Sequence, residues 1–141
     1  MSYSTRKGYD GEVEFAEFLT DAMRPYGINF LRIGGTERGK KTLVGDVIVD
    51  KRTDPDGNCF LDKYFLESKR HASPVISNIL EEAEANARMY GKASSICYIT
   101  KQKAGSKRDW TLIAMTPSTF ARIATELQGY RNAEAIDKLV K

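Results

Sequence analysis

Two apolar runs around one turn constrain this chain most. "LVGDVIVDKR", residues 43–52, and "CFLDKYFLESKR", residues 59–70, each read as a β-strand, and "DPDGN", residues 54–58, carries Pro and Gly where a turn needs them. Joined as a hairpin, the strands pair antiparallel, and opposed residues have numbers with a constant sum of about 111 to 113. Asp46 and Glu67 meet that condition and should sit on neighbouring strands at one level. A bulge or wider loop would move this by about two residues. Residues i and i+2 of a strand share a face, so Glu67 and Lys69 stand side by side next to Phe65. Taken alone, such a pair is an ordinary exposed strand ion pair worth little.

The remaining elements follow from periodicity. Residues 11–23 predict a helix with Phe15, Phe18, Leu19, Ala22 and Met23 on one stripe, ended by Pro25 and Gly27. "INFLRI" is a short strand, and "GGTERGKKT" is a Gly-rich basic loop before Asp46. A second helix lies within residues 72–91, with Ile76, Ile79, Leu80, Ala83, Ala87 and Tyr90 on one face and Gly91 as its cap. "ASSICYITK" and "WTLIAMT" are strands separated by a polar loop. Thr116 and Pro117 open an amphipathic helix through Phe120, Ile123, Ala124 and Leu127 that should end near Gly129, and "AEAIDKLVK" is a short last helix. Tyr90, Tyr98 and Trp110 read as core or interface aromatics. The expected order is α-β-β-β-α-β-β-α, an α/β domain with a mixed sheet of about five strands flanked by helices. A length of 141 residues, with 41% apolar and 29% charged, fits one globular domain over 1–141.

The first helix supplies a further acid. At about 100° per residue, Glu12 falls within about 40° of the centre of the apolar stripe, whereas Glu14 lies about 120° away and Glu17 further round. Glu12 should therefore look inward, where a charge needs a partner or a cation. Glu12, Asp46, Glu67 and Lys69 are then expected to converge. Carboxylate oxygens with an open position suit Mg²⁺, with Mn²⁺ able to substitute. Such an ion polarises a phosphoryl oxygen and acidifies a bound water, and a neighbouring Lys orients that water or stabilises the charge growing on phosphorus.

The net charge of +3 is mild, but "STRKG", "ERGKK", "SKR" and "KQKAGSKR" are local basic clusters of the kind that suits a polyanion. Cys59 and Cys97 lack metal-ligand spacing, and with one His in the chain no zinc cluster is supported; they read as reduced thiols. "MSYSTRKGYDGE" has no apolar h-region and no apolar run reaches about 18 residues, so neither a signal peptide nor a membrane span is expected, and a cytoplasmic location is.

Asp46 followed by Glu67-Ser68-Lys69 on the next strand resembles the D…(D/E)xK signature of the PD-(D/E)XK nuclease superfamily. "RKGYDGEVEFAEFL" is similar to the opening of the archaeal-type Holliday junction resolvases, in which Arg-Lys-Gly precedes a catalytic Glu by four residues; Arg6, Lys7, Gly8 and Glu12 match. "LRIGGTERGKKTLVGDV" is similar to the arginine-bearing strand, basic loop and metal-binding Asp of that family, with Arg32 and Asp46 in place. The resemblance spans roughly residues 5–125 and departs at Val13, where the resolvases carry Arg, and in a longer loop and hairpin.

The resemblance implies a restriction-endonuclease-like core and a homodimer that cuts DNA, most specifically branched DNA at four-way junctions. It implies that Asp46, Glu67 and the Ser68 carbonyl hold the metal, that Glu12 acts in or beside the metal shell, and that Lys69 positions the attacking water. Arg6, Lys7, Arg32, Arg38, Lys40 and Lys41 become candidate DNA-binding residues. Rival readings are a phage- or repair-type endonuclease acting on other DNA structures, and a catalytically idle DNA-binding module of the same fold. His71 reads as a surface residue at a strand end.

Overall fold

The structure, a computed structural model, describes residues 3–33, 44–103 and 107–140, with side chains from residue 8 onward. Helix α1 (Tyr3–Ala22) precedes a 3₁₀ turn (Arg24–Tyr26), strands β1 (Phe30–Arg32) and β2 (Val47–Val49), a second 3₁₀ turn (Phe60–Lys63) and strand β3 (Tyr64–His71). Helix α2 (Ile76–Met89), strands β4 (Ser94–Gln102) and β5 (Arg108–Ala114) and helix α3 (Pro117–Val140) complete it. The strands form one mixed five-stranded sheet in the order β1-β2-β3-β4-β5. Only β3 and β4 are parallel among neighbours, and α2 supplies the crossover that a parallel pair requires.

The expected order of elements holds, but β2 spans only Val47–Val49 of the expected residues 43–52, and there are three further corrections. First, α1 starts at Tyr3, not near residue 11. Second, residues 60–63 coil into a 3₁₀ turn, so β3 begins at Tyr64 instead of Cys59. The link from β2 is wider than a tight hairpin because Asp54 gathers it: its carboxylate accepts the N–H groups of Asn58 and Cys59, at 3.0 Å each. Third, α3 runs unbroken through Gly129 where two helices were expected. A mid-helix Gly costs only about 1 kcal/mol relative to Ala and does not by itself end a helix. The start of α3 is as read: the Thr116 hydroxyl accepts the Thr119 N–H at 3.1 Å.

Side-chain alternation along β3 divides the core in two. Tyr64 and Leu66 face α1, where Phe15, Ala16 and Leu19 meet Val47, Val49, Ile96 and Tyr98. Phe65 faces α2, packing with Val44 and Ala87, while Ile79 and Ala83 cover Cys97, Ile99 and Ala114 on that side. The rest of the expected α2 face is more open: Ile76 and Tyr90 are exposed, as is Phe18 of α1. Glu84 fastens α2 to the start of β4 by accepting the hydroxyls of Ser94 at 2.6 Å and Ser95 at 2.9 Å. Among the described residues no helix is long and apolar enough to cross a membrane.

Phe15 is fully buried and stacks on Tyr98 with ring centroids 5.0 Å apart. Phe15→Ala should therefore lower unfolding free energy by about 3–5 kcal/mol, read as a shifted urea midpoint at unchanged slope. Met89→Ala, at a position 73% exposed, should stay within about 0.5 kcal/mol of wild type.

Candidate active site

Strand β2 reaches β3 through Gly45. Its φ is +103°, and a Cβ there would stand 3.1 Å from the Leu66 carbonyl oxygen, so both conformation and space ask for glycine. The next residue is held on two sides: the Asp46 N–H donates to the Leu66 carbonyl at 2.9 Å, and its carbonyl accepts the Ile33 N–H at 3.0 Å. Val47 pairs with Leu66, so Asp46 and Glu67 come next in the same register, as the constant-sum condition requires. The Ser68 N–H donates to Asp46 Oδ2 at 2.9 Å and fixes the carboxylate against β3.

Glu67 and Lys69 share the Phe65 face of β3, turned toward α2. Lys69 Nζ lies 3.6 Å from Glu67 Oε1. Asp46, Glu67 and Lys69 line a cavity of about 240 Å³ whose opposite wall is Glu82 and Asn86 of α2 and Tyr90 just after it. Its floor is buried, with Asp46 7% and Glu67 9% exposed. Burial first, and then the charge of Asp46, push the Glu67 carboxyl up to about 8; Lys69 pulls the other way, while a hydrogen bond with Asp46 and the charge of Glu82 add to the rise. The Glu67 carboxyl, buried beside a second acid, therefore keeps its proton near neutrality. A divalent cation removes that conflict, and two carboxylates with waters are a donor set that Mg²⁺ and Mn²⁺ accept. The residues present therefore fit such an ion.

Cys97, the β4 partner of Glu67, is fully buried. Burial, and then the charge of Glu67, push its thiol up to about 12. It is a packed thiol and not a thiolate ligand.

Glu12 is inward and buried as expected, at 7% exposed, but its neighbourhood differs from the expected one. Its Oε2 lies 2.7 Å from Arg32 Nε, and the Arg32 guanidinium sits 4.5 Å above the Tyr9 ring. Arg32 pairs with Val47, whose side chain belongs to the core beneath α1, so this ion pair lies on the α1 face and Glu67 looks out of the other. Among the described residues no three His, Cys, Asp or Glu side chains group to hold a metal ion. The structure thus brings together Asp46, Glu67 and Lys69, with Ser68 contributing its N–H, and turns Glu12 and Arg32 toward each other.

The other basic candidates fall elsewhere. Arg6 and Lys7 lie in the first turns of α1, with side chains outside the described portion. Arg38, Lys40 and Lys41 lie outside the described residues. Sequence reasoning passed over Glu82 and Asn86. Their signal was the i, i+4 spacing of Glu82, Asn86 and Tyr90 beside the buried Ile79, Ala83 and Ala87 stripe. No protein-family model, curated protein or solved structure matches this chain.

The raised Glu67 carboxyl has a thermodynamic consequence. Its folded-state pKa of about 8 exceeds the ordinary Glu value of about 4.3, so the folded protein binds this proton more tightly than the unfolded chain does. That contribution to stability is complete below about pH 4 and is lost as pH rises through about 8. The melting temperature of the metal-free protein should fall across this window. Glu67→Gln should flatten the fall, and millimolar Mn²⁺ should restore the wild type at high pH. A Glu67→Gln profile parallel to wild type in a calorimetric pH series would count against the shift.

Proposed function

We propose that this chain is a metal-dependent DNA endonuclease of the PD-(D/E)XK type, and in its most specific form a Holliday junction resolvase. One observation carries the reading: Asp46 and Glu67, 21 residues apart in the chain, share the buried floor of one cavity with Lys69 beside them. The cavity is polar, open to solvent and lined by groups suited to a hard cation and a phosphate, not to an apolar ligand.

Asp46 and Glu67 would hold the ion, Mg²⁺ or Mn²⁺, with Asp46 oriented by the Ser68 N–H. When bound, the ion would supply Lewis-acid polarisation of the scissile phosphate and an acidified water. Lys69 brings three N–H donors on a flexible stem, anchored by Glu67. From there it can donate to the oxygen of an incoming water and to a non-bridging phosphate oxygen, placing the nucleophile and offsetting charge at phosphorus. The burial of Asp46 and Glu67 strengthens their interactions relative to bulk water. Glu12, tied to Arg32, has its part in docking α1 on the sheet. Arg6, Lys7, Arg38, Lys40 and Lys41, in the basic N-terminal and loop clusters, are the proposed phosphate contacts.

A resolvase must cut two strands, which asks for a second copy. Helix α3 leaves Phe120, Leu127, Tyr130, Ile136, Leu139 and Val140 each at least 61% exposed. Apolar surface of that kind is suited to a twofold partner.

Labelled four-way junction and linear duplex of the same sequence, each with Mg²⁺ or with EDTA, test this reading. Paired cuts in the junction should appear with Mg²⁺ and vanish with EDTA. Asp46→Asn should slow cleavage about a thousandfold, several kcal/mol at 1.36 kcal/mol per decade, while DNA affinity stays within a few-fold. Equal cutting of both substrates would remove junction selectivity and leave a general nuclease. No cutting of either would leave a DNA-binding module.

A further inference from the structure

We propose that Glu82 on α2, and not Glu12 on α1, is the third acidic residue of the cation centre: standing at the cavity rim, it positions the waters that a cation held by Asp46 and Glu67 keeps. This rests on reading the site as a divalent-cation centre.

Geometry comes first. Glu82 lines the same cavity as Asp46, Glu67 and Lys69. Helix α2 cannot turn it away, because Ile79, Ala83 and Ala87 are buried beneath, and Tyr90 stacks on Phe65 with centroids 6.4 Å apart. Glu12 belongs to the α1 face and is matched by Arg32 at 2.7 Å.

Charge comes second. The two carboxylates on the floor balance one divalent cation, and Lys69 then leaves the cavity one positive charge in excess. Glu82 cancels that excess. It stands exposed at the cavity mouth, and its charge is felt at Glu67. Among the described residues no third carboxylate is close enough to join Asp46 and Glu67 directly on an ion. A role through water fits that spacing. Mg²⁺ and Mn²⁺ keep several waters when two carboxylates bind them, and a rim carboxylate accepts hydrogen bonds from such waters. Glu82 is therefore a positioning residue.

Mn²⁺ titration of the full-length protein, followed by electron paramagnetic resonance of the free ion, tests this without DNA. Wild type should bind Mn²⁺. Glu82→Gln, an exposed change that leaves folding intact, should weaken binding about tenfold, the lower end for outer-shell partners of metal ligands. Glu81→Gln, its exposed neighbour in sequence, should bind as wild type does. Glu12→Gln should lower the melting temperature, since it leaves Arg32 without its counter-charge, while Mn²⁺ affinity stays within about twofold of wild type. Unchanged affinity in Glu82→Gln overturns the assignment while the cation centre stands. A large loss in folded Glu12→Gln, with Glu82→Gln unaffected, returns the third acid to α1. Absence of Mn²⁺ binding by wild type overturns the cation centre and this inference with it.

Discussion

The pairing of Val47 with Leu66 carries the rest of the site. It places the next residues of the two strands, Asp46 and Glu67, at one level on a face that α2 covers. Burying two acids there opposes folding, because a charged carboxylate loses its water and meets another like it. The fold accepts the cost through directed contacts: the Ser68 N–H on Asp46, Lys69 at 3.6 Å from Glu67, and a proton retained by Glu67 near neutrality. Gly45 makes the approach possible, since any Cβ would press on the Leu66 backbone.

On the other face the same sheet solves a different problem. Helix α1 must lie across β1 to β4 while carrying five acids, Asp10, Glu12, Glu14, Glu17 and Asp21. Two of these are turned to use. Glu12 meets Arg32, and Glu14 meets Arg108 at 2.8 Å and the Tyr98 hydroxyl at 3.4 Å, with Arg70 at 3.9 Å. These contacts flank Gly11, where a Cβ would stand only 3.0 Å from Ser68 Oγ. The helix is thus seated between two charged contacts over an apolar line through Phe15 and Leu19. Thr20 adds a fixed end by accepting the Phe30 N–H at 2.9 Å. Ion pairs of this partly buried kind set position more surely than they add stability.

What the sequence disclosed and what it withheld follow from what each pattern measures. Strand pairing is arithmetic once a turn is located, so Asp46 opposite Glu67 was legible even though the link between β2 and β3 proved wider than a tight turn. A helical wheel gives direction relative to the apolar stripe, so the inward turn of Glu12 was legible too. It does not say which face of a sheet the helix will cover, and Arg32, a neighbour only through the sheet, was invisible as its partner. Glu14 shows the same limit: about 120° off the stripe, it still reached Arg108 on distant β5. Glu82 is not legible from the apolar residues of α2, because a cavity wall is built by the polar stripe beside them. The run of α3 through Gly129 reflects the small energy at stake at one exposed glycine.

Taken together, the two faces explain why the same residue types behave differently. On the α1 face Glu12, buried, and Glu14, partly buried, each meet an arginine, whose charge is permanent and whose guanidinium is only weakly hydrated. On the α2 face the acids outnumber the bases: Asp46, Glu67 and Glu82 surround one Lys, on a stem flexible enough to move. A site whose purpose was only to hold the fold would be expected to close its charge as α1 does. An excess of acids buried beside an open cavity would favour a cation, because an ion bound there would relieve both desolvation and repulsion. Stability that two buried acids cost the fold would reappear as binding free energy for a cation held between them, and that exchange is the physical link between the pairing of β2 with β3 and the chemistry proposed for it.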